Sequence, residues 1–191
     1  LPVNKEGLVT PADVKKAIKP NTVLVSIMYA NNEVGTIQPI AEIGKLITEY
    51  NIQYTKYKIL FHTDAVQAIN YLDCDVKKLG VDLLSLSGHK IYGPKGIGAL
   101  FVKKGTSIKP LIYGGGQEAG LRSGTENVAG IVGLGAAIKE IQNPKHKIHN
   151  IRIRQFRDKL IKNILKIIPD ANLNGSAVYR LPNNINISFR G

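Results

Sequence analysis

The sequence predicts an α/β fold with a mostly parallel sheet and helices on both of its faces. Three apolar, β-branched segments of strand length alternate with helical patterns before residue 90. Polar residues follow each of the three segments within two or three positions. Because parallel strands end at the same edge of a sheet, this pattern also predicts a ligand site at that edge.

Each predicted strand is a short run of apolar and β-branched residues that ends in a turn. The runs occupy residues 22–29, 58–63, 82–87, 97–103 and 184–189. The loop before residue 97 is too short for a crossover connection, so we expect that strand to be antiparallel.

The predicted helices show apolar residues at helical spacing, and the first begins with the typical start Thr10-Pro11. They occupy residues 11–18, 39–50 and 126–142, with short helical segments at 66–71 and 76–79. A long, basic, amphipathic helix includes residues 148–168. From Asn143 onward the composition becomes basic, which predicts one domain over 1–143 and a second over 144–191, both truncated.

The net charge of +12 raises the possibility of a nucleic-acid partner. Most of the excess lies on the basic helix, where no aromatic residues alternate with the cations as single-strand binding would require. We therefore expect a solvated helix face and no nucleic acid. The cations around His146 and His149 also oppose a metal. No apolar run has the length of a membrane span, so we expect no membrane partner.

Lys90 lies in the most informative segment of the chain, Ser87-Gly88-His89-Lys90. An apolar run delivers this lysine to a turn, and the glycines and proline that follow stop both helix and strand. An amine held at a strand end can be desolvated and still meet a ligand, which favours formation of a Schiff base. The alternative is an ordinary surface lysine in a turn.

Three further groups near the predicted edge suit pyridoxal phosphate (PLP), which needs an amine, an acid beside its ring nitrogen and donors for its phosphate. Asp64 can keep the ring nitrogen protonated, and Gln67, one helical turn later, can bind the ring hydroxyl. Ser87 and His89 flank Gly88 and can bind phosphate.

A glycine-rich segment, 114–125, precedes the helix predicted at residue 126. Backbone amides freed by glycine at a helix start can bind an anion, and Arg122 and Thr125 would favour phosphate. Thr125 can alternatively cap the helix.

Four segments in this order, 30–35, 62–67, 87–98 and 114–125, resemble those of the cysteine desulfurases, a class V aminotransferase branch of the PLP enzymes. The resemblance implies the large domain of the aspartate aminotransferase fold and the start of a small C-terminal α/β domain. It implies that Lys90 binds the cofactor covalently, with Asn32 contacting cofactor and substrate. It also implies a homodimer in which Thr125 reaches the phosphate of the neighbouring subunit. The remaining cofactor contacts implied are Asp64, Gln67, Ser87, Gly88 and His89.

The activity implied is conversion of L-cysteine to alanine, with sulfur passed as a persulfide to an enzyme cysteine and then to an acceptor or iron–sulfur scaffold protein. The persulfide cysteine would follow Gly191, and the stacking histidine would precede Leu1, so we expect an inactive central fragment. Ala119 replaces a common arginine, and residues 55–57 resemble an insertion. Rival interpretations are selenocysteine lyase, another class V PLP enzyme, a basic binding module or an inactive scaffold.

Cys74 is the only cysteine, so no internal disulfide can form, and we expect a reducing, cytoplasmic location. It lies between Asp73 and Asp75, whose charges raise the pKa of a thiol. We therefore do not expect Cys74 to act as a nucleophile.

Overall fold

One four-stranded sheet organises the first half of the chain in a computed structural model that describes residues 1–54 and 57–190. Its strands, in spatial order, are β1 Leu24–Met28, β2 Leu60–Asp64, β3 Leu83–Ser87 and β4 Gly98–Val102. The first three strands are parallel, and β4 runs antiparallel to β3. This confirms the predicted mostly parallel sheet and the direction of its fourth strand.

The register of the sheet brings the ends of the parallel strands to one edge. Met28 lies opposite Asp64, and Asp64 lies opposite Ser85. Because side chains alternate along a strand, His62 and Asp64 point to the same face of the sheet. Ser26, opposite His62 on β1, shares that face.

Three helices pack against the other face, which carries the main apolar core. They are α1 Pro11–Ala17, α2 Ile40–Tyr54 and α3 Val76–Leu79. Phe61 of β2 and Ile43 of α2 are fully buried in this core. A Cβ added to Gly44 of α2 would lie 2.1 Å from the Leu79 carbonyl oxygen, so glycine permits the close approach of α2 and α3.

The helix expected at residues 66–71 is instead a series of tight turns. Both Ala68 and Ile69 donate their backbone N–H to the Ala65 carbonyl, and no regular helix continues. The Asp64 carboxylate accepts the Val66 N–H at 2.8 Å. This bond between a side chain and the backbone forms the first of the turns that follow β2.

The second half of the chain consists of two helices and a small antiparallel sheet. These are α4 Val128–Ile141, α5 Pro144–Ile167, β5 Ala171–Leu173 and β6 Ile187–Phe189. The predicted helix at 126 starts at Val128 because Asn127, and not Thr125, provides the cap. The strand expected at 184–189 is limited to β6, and β5 was not predicted.

Polar contacts join the residues after 143 to one another and to the first half of the chain. Arg157 of α5 is only 5% exposed and donates to the carbonyl oxygens of Arg180 and Leu181 at 2.9 and 2.7 Å. Asn184 and Asn186 both donate to the Glu33 carbonyl oxygen. The division of the chain at residue 143 stays a prediction.

Among the described residues, no helix has the length and apolarity needed to cross a membrane. Over the same residues, no group of three or more His, Cys, Asp or Glu side chains is arranged to hold a metal ion. Thr55 and Lys56 of the predicted insertion lie outside the described residues.

Candidate active site

The site forms where β1, β2 and β3 end side by side. The Tyr29 N–H donates to the Asp64 carbonyl at 2.8 Å, and the Ala65 N–H donates to the Ser85 carbonyl at 2.9 Å. These bonds continue the pairing of the three strands up to the edge. The edge therefore brings together the segments that carry Asn32, Asp64 and Lys90.

Asp64 has one oxygen committed to the backbone and one available. Its Oδ1 accepts the Val66 N–H, whereas Oδ2 makes no hydrogen bond within residues 1–54 and 57–190. The side chain is half-buried. A carboxylate fixed in this way can accept a hydrogen bond from a protonated ring nitrogen, as the sequence predicted.

Asn31 and Asn32 have different environments in the turn after β1. Asn31 is committed to the turn, since its Oδ1 accepts the N–H groups of Glu33 and Val34, both at 2.9 Å. The Asn32 side chain is exposed. Gln67, on the turn after β2, is half-buried. The amides of Asn32 and Gln67 are thus placed on neighbouring segments after two adjacent strands.

A single 3-10 turn, Gly88–Lys90, carries the lysine directly after β3. Gly88 is buried, and a Cβ there would lie 2.8 Å from the Ile97 side chain, so the tight turn requires glycine. His89 and Lys90 are exposed at the edge. The lysine amine therefore lies at the surface, on a turn whose backbone is closely packed.

Ser87 and His89 are joined to each other by a hydrogen bond of 2.7 Å between Oγ and Nδ1. In this pair one group donates to the other, so the hydroxyl and a neutral imidazole keep one donor between them for a phosphate. The Lys90 amine suits the aldehyde of PLP, and the available Asp64 oxygen suits its ring nitrogen. Ser87 and His89 suit its phosphate. The residues on this edge therefore fit that cofactor.

The glycine-rich segment 114–125 has an unusual backbone. Glu118, Ala119 and Gly120 adopt three consecutive positive φ angles of 48°, 56° and 77°. Thr125 is exposed, and within the part of the chain that the structure describes it makes no hydrogen bond to the strand edge. Its contact with the phosphate of a neighbouring subunit stays a prediction.

Sequence reasoning did not identify a polar row on the sheet, Ser26–His62–Ser85. Nδ1 of His62 lies 2.7 Å from Ser26 Oγ, and Nε2 lies 3.2 Å from Ser85 Oγ. Burial lowers the pKa of His62, against an opposing effect from Asp64. The signal available in the sequence was the two-residue spacing of His62 and Asp64, which places both on one face of a strand.

Cys74 lies in a groove of about 990 Å³ between the turns after β2 and helix α5. The lining of this groove includes His146 and Arg154 but neither Asp64 nor Lys90. Burial, with a smaller contribution from Asp73, raises the pKa of the Cys74 thiol to about 12. The predicted direction is correct. Asp75, however, caps α3 instead, accepting the Lys77 N–H.

Comparisons with known proteins agree on the family. The family described as aminotransferase class-V matches residues 1–191. The cysteine desulfurase IscS of Dictyoglomus turgidum is 53% identical over 190 residues, which are 99% of this chain and 46% of that protein. Two solved structures, a NifS-like protein and SspA in complex with cysteine, are each 40% identical, with TM-scores of 0.89 and 0.78. They match 98% of this chain and 49% and 50% of their own chains. The chain thus spans about half the length of the relatives it matches.

Proposed function

Because the chain belongs to the aminotransferase class-V family, we propose that it is part of a PLP-dependent cysteine desulfurase. The observation that carries the proposal is the single edge at which three parallel strands present Asn32, Asp64 and Lys90. The similarity to cysteine desulfurases along almost the whole chain supports the same activity. The reaction proposed is removal of sulfur from L-cysteine to give alanine, with transfer of the sulfur to a protein thiol.

PLP, when bound, supplies an electron sink that stabilises negative charge developing at the substrate carbon. The residues on the edge provide its environment. Lys90 provides the amine for covalent attachment and can then move a proton at the substrate. Asp64 holds the proton on the ring nitrogen through Oδ2, which keeps the ring a good electron acceptor.

The remaining residues orient the reacting groups. Gln67 donates to the ring hydroxyl, and Asn32 contacts cofactor and substrate from the turn after β1. Ser87, Gly88 and His89 bind the phosphate through the tight turn that also carries Lys90. Contacts to the ring nitrogen, the phosphate and the amine would together hold the cofactor, and the substrate bound to it would then be held in one orientation.

The proposal includes a homodimer in which Thr125 completes the phosphate site of the partner subunit. The segment before Thr125 supports this, because Leu111 is 94% exposed and Tyr113 is 80% exposed. Large apolar side chains exposed together are typical of interaction surfaces. Further proposed partners are a sulfur-acceptor or iron–sulfur scaffold protein, and the proposed location is the cytoplasm.

The test is chemical trapping of the cofactor in a full-length protein that contains this chain. Borohydride reduction with PLP and peptide mapping should label Lys90, and Lys90→Ala should abolish the label. Lys95→Ala is the matched control, because Lys95 lies on the same loop and is also exposed. Labelling at Lys95 or Lys103, or no absorbance from bound cofactor in the unmodified protein, would refute the assignment.

A further inference from the structure

The row Ser26–His62–Ser85 links the three parallel strands through side chains. Ser26 is on β1, His62 on β2 and Ser85 on β3, and both ring nitrogens of the imidazole have a hydroxyl within hydrogen-bond distance. A neutral imidazole has one donor nitrogen and one acceptor nitrogen. A serine hydroxyl can rotate to serve either, so the row satisfies a neutral His62 completely.

The row lies directly behind the carboxylate of the proposed site. His62 precedes Asp64 by two residues, and both side chains lie on the same face of β2. Ser85 is the partner of Asp64 in the register between β2 and β3. Ser26 pairs with His62 and Ser85 pairs with Asp64, so a change in the row would act on the end of β2 that carries Asp64.

The charge of His62 matters because of this proximity. Burial favours the neutral imidazole, whereas the negative charge of Asp64 favours the protonated imidazole. A cation next to Asp64 would attract the carboxylate and weaken its hold on a proton at the ring nitrogen. A neutral imidazole that is already bound to two hydroxyls does not compete in this way.

We infer that His62 is a positioning residue for Asp64, held uncharged between Ser26 and Ser85 so that it fixes the end of β2 and leaves the carboxylate free for a ring nitrogen. The functional part of this inference rests on the proposed PLP chemistry. The structural part concerns this chain alone and can be tested without any cofactor.

The first experiment measures His62 in the 191-residue chain by NMR. The pKa of the ring should lie below that of an ordinary histidine, with one nitrogen protonated in the neutral form, and the exposed His149 on α5 is the reference signal. In the double variant Ser26→Ala/Ser85→Ala, exchange of the Tyr29 and Ala65 amide protons should be faster, because their bonds join the strands at Asp64. A charged His62 at neutral pH, or unchanged exchange at both amides, would overturn the inference.

The second experiment uses a full-length protein with bound PLP and compares His62→Leu, His62→Gln and the control His149→Gln. The Leu variant should still bind PLP, yet the pH midpoint of the cofactor absorbance should move by about half a unit or more. Its kcat should fall about tenfold while KM stays within about twofold. Gln, which is uncharged and can both donate and accept, should restore most of the kcat.

The outcomes distinguish the role of His62 from the proposed PLP-dependent function. An unchanged absorbance profile in His62→Leu, or equal losses in the Leu and Gln variants, would overturn the role of His62 in positioning Asp64. If the unmodified full-length protein binds no PLP, the proposed function fails, whereas the result of the NMR experiment still decides whether the row holds a neutral histidine.

Discussion

The two carboxylate oxygens of Asp64 have different roles. Oδ1 terminates the strand by accepting the Val66 N–H, and Oδ2 remains available at the edge. The hydrogen bond to the backbone limits rotation of the side chain, so the second oxygen has a defined direction.

Replacing Asp64 should therefore separate cofactor binding from turnover. In full-length protein, we expect Asp64→Ala to retain part of its PLP and to lose about a hundredfold or more in kcat, because the ring nitrogen is no longer held protonated. Steady-state kinetics and cofactor absorbance measure the two effects. Near-normal kcat in Asp64→Ala would mean that another residue faces the ring nitrogen.

Cys74 should be a slow nucleophile because its thiol stays protonated. With a pKa of about 12 in place of the ordinary 9.0, the thiolate population at pH 8 falls by about a thousandfold. Alkylation by iodoacetamide in the folded chain should be slower by about that factor than in the urea-unfolded chain, and should accelerate as the pH rises toward 12.

A variant distinguishes the two causes of the raised pKa. Burial is the larger cause and Asp73 the smaller, so Asp73→Asn should accelerate alkylation only slightly. Rapid modification of folded wild-type chain at pH 8 would contradict the burial of this thiol.

Strand β3 begins at a buried carboxylate that joins its neighbours. Asp82 accepts from Lys58 Nζ at 2.7 Å and from the Phe61 N–H at 3.1 Å. Lys103, after β4, lies 3.7 Å away. One side chain therefore connects β2, β3 and β4 at the edge opposite the proposed site.

Removing this carboxylate should destabilise the sheet. We expect Asp82→Ala to lower the free energy of unfolding by about 1–3 kcal/mol, because the buried Phe61 N–H loses its charged acceptor. Both lysines are more than half exposed, so Lys103→Ala should cost less than about 1 kcal/mol. Urea denaturation measures both. Equal losses in the two variants would mean that the surface ion pair, and not the buried bond, stabilises the sheet.

Periodicity predicted most elements because their apolar residues face one core. Ile40, Ile43 and Ile47 recur at helical spacing, and all three are buried. Prediction was wrong at two places. Asn127, and not Thr125, caps α4, because its side chain accepts the Gly130 N–H. Residues 66–71 form tight turns in place of the expected helix.

The chain as a whole contains the edge proposed to bind the cofactor, but its one cysteine does not lie at that edge. Its one cysteine lines a groove that includes neither Asp64 nor Lys90, and its thiolate population is very low. We therefore expect residues 1–191 with PLP, L-cysteine and a reductant to release no sulfide or alanine above the rate of free PLP. Turnover that disappeared in Cys74→Ser would contradict this.

The sequence by itself determined the strand that ends before the turn of Lys90, the parallel direction of the first three strands and the motifs that follow them. These features depend on neighbours within a few residues and on the common direction of parallel strands. Only the tertiary structure decided that Ser26 and Ser85 hydrogen-bond His62 and that burial raises the pKa of Cys74. It also decided that Asn184 donates to the Glu33 carbonyl oxygen. Each of these features depends on residues far apart in the sequence, and a local sequence pattern does not show which of them will be in contact after folding.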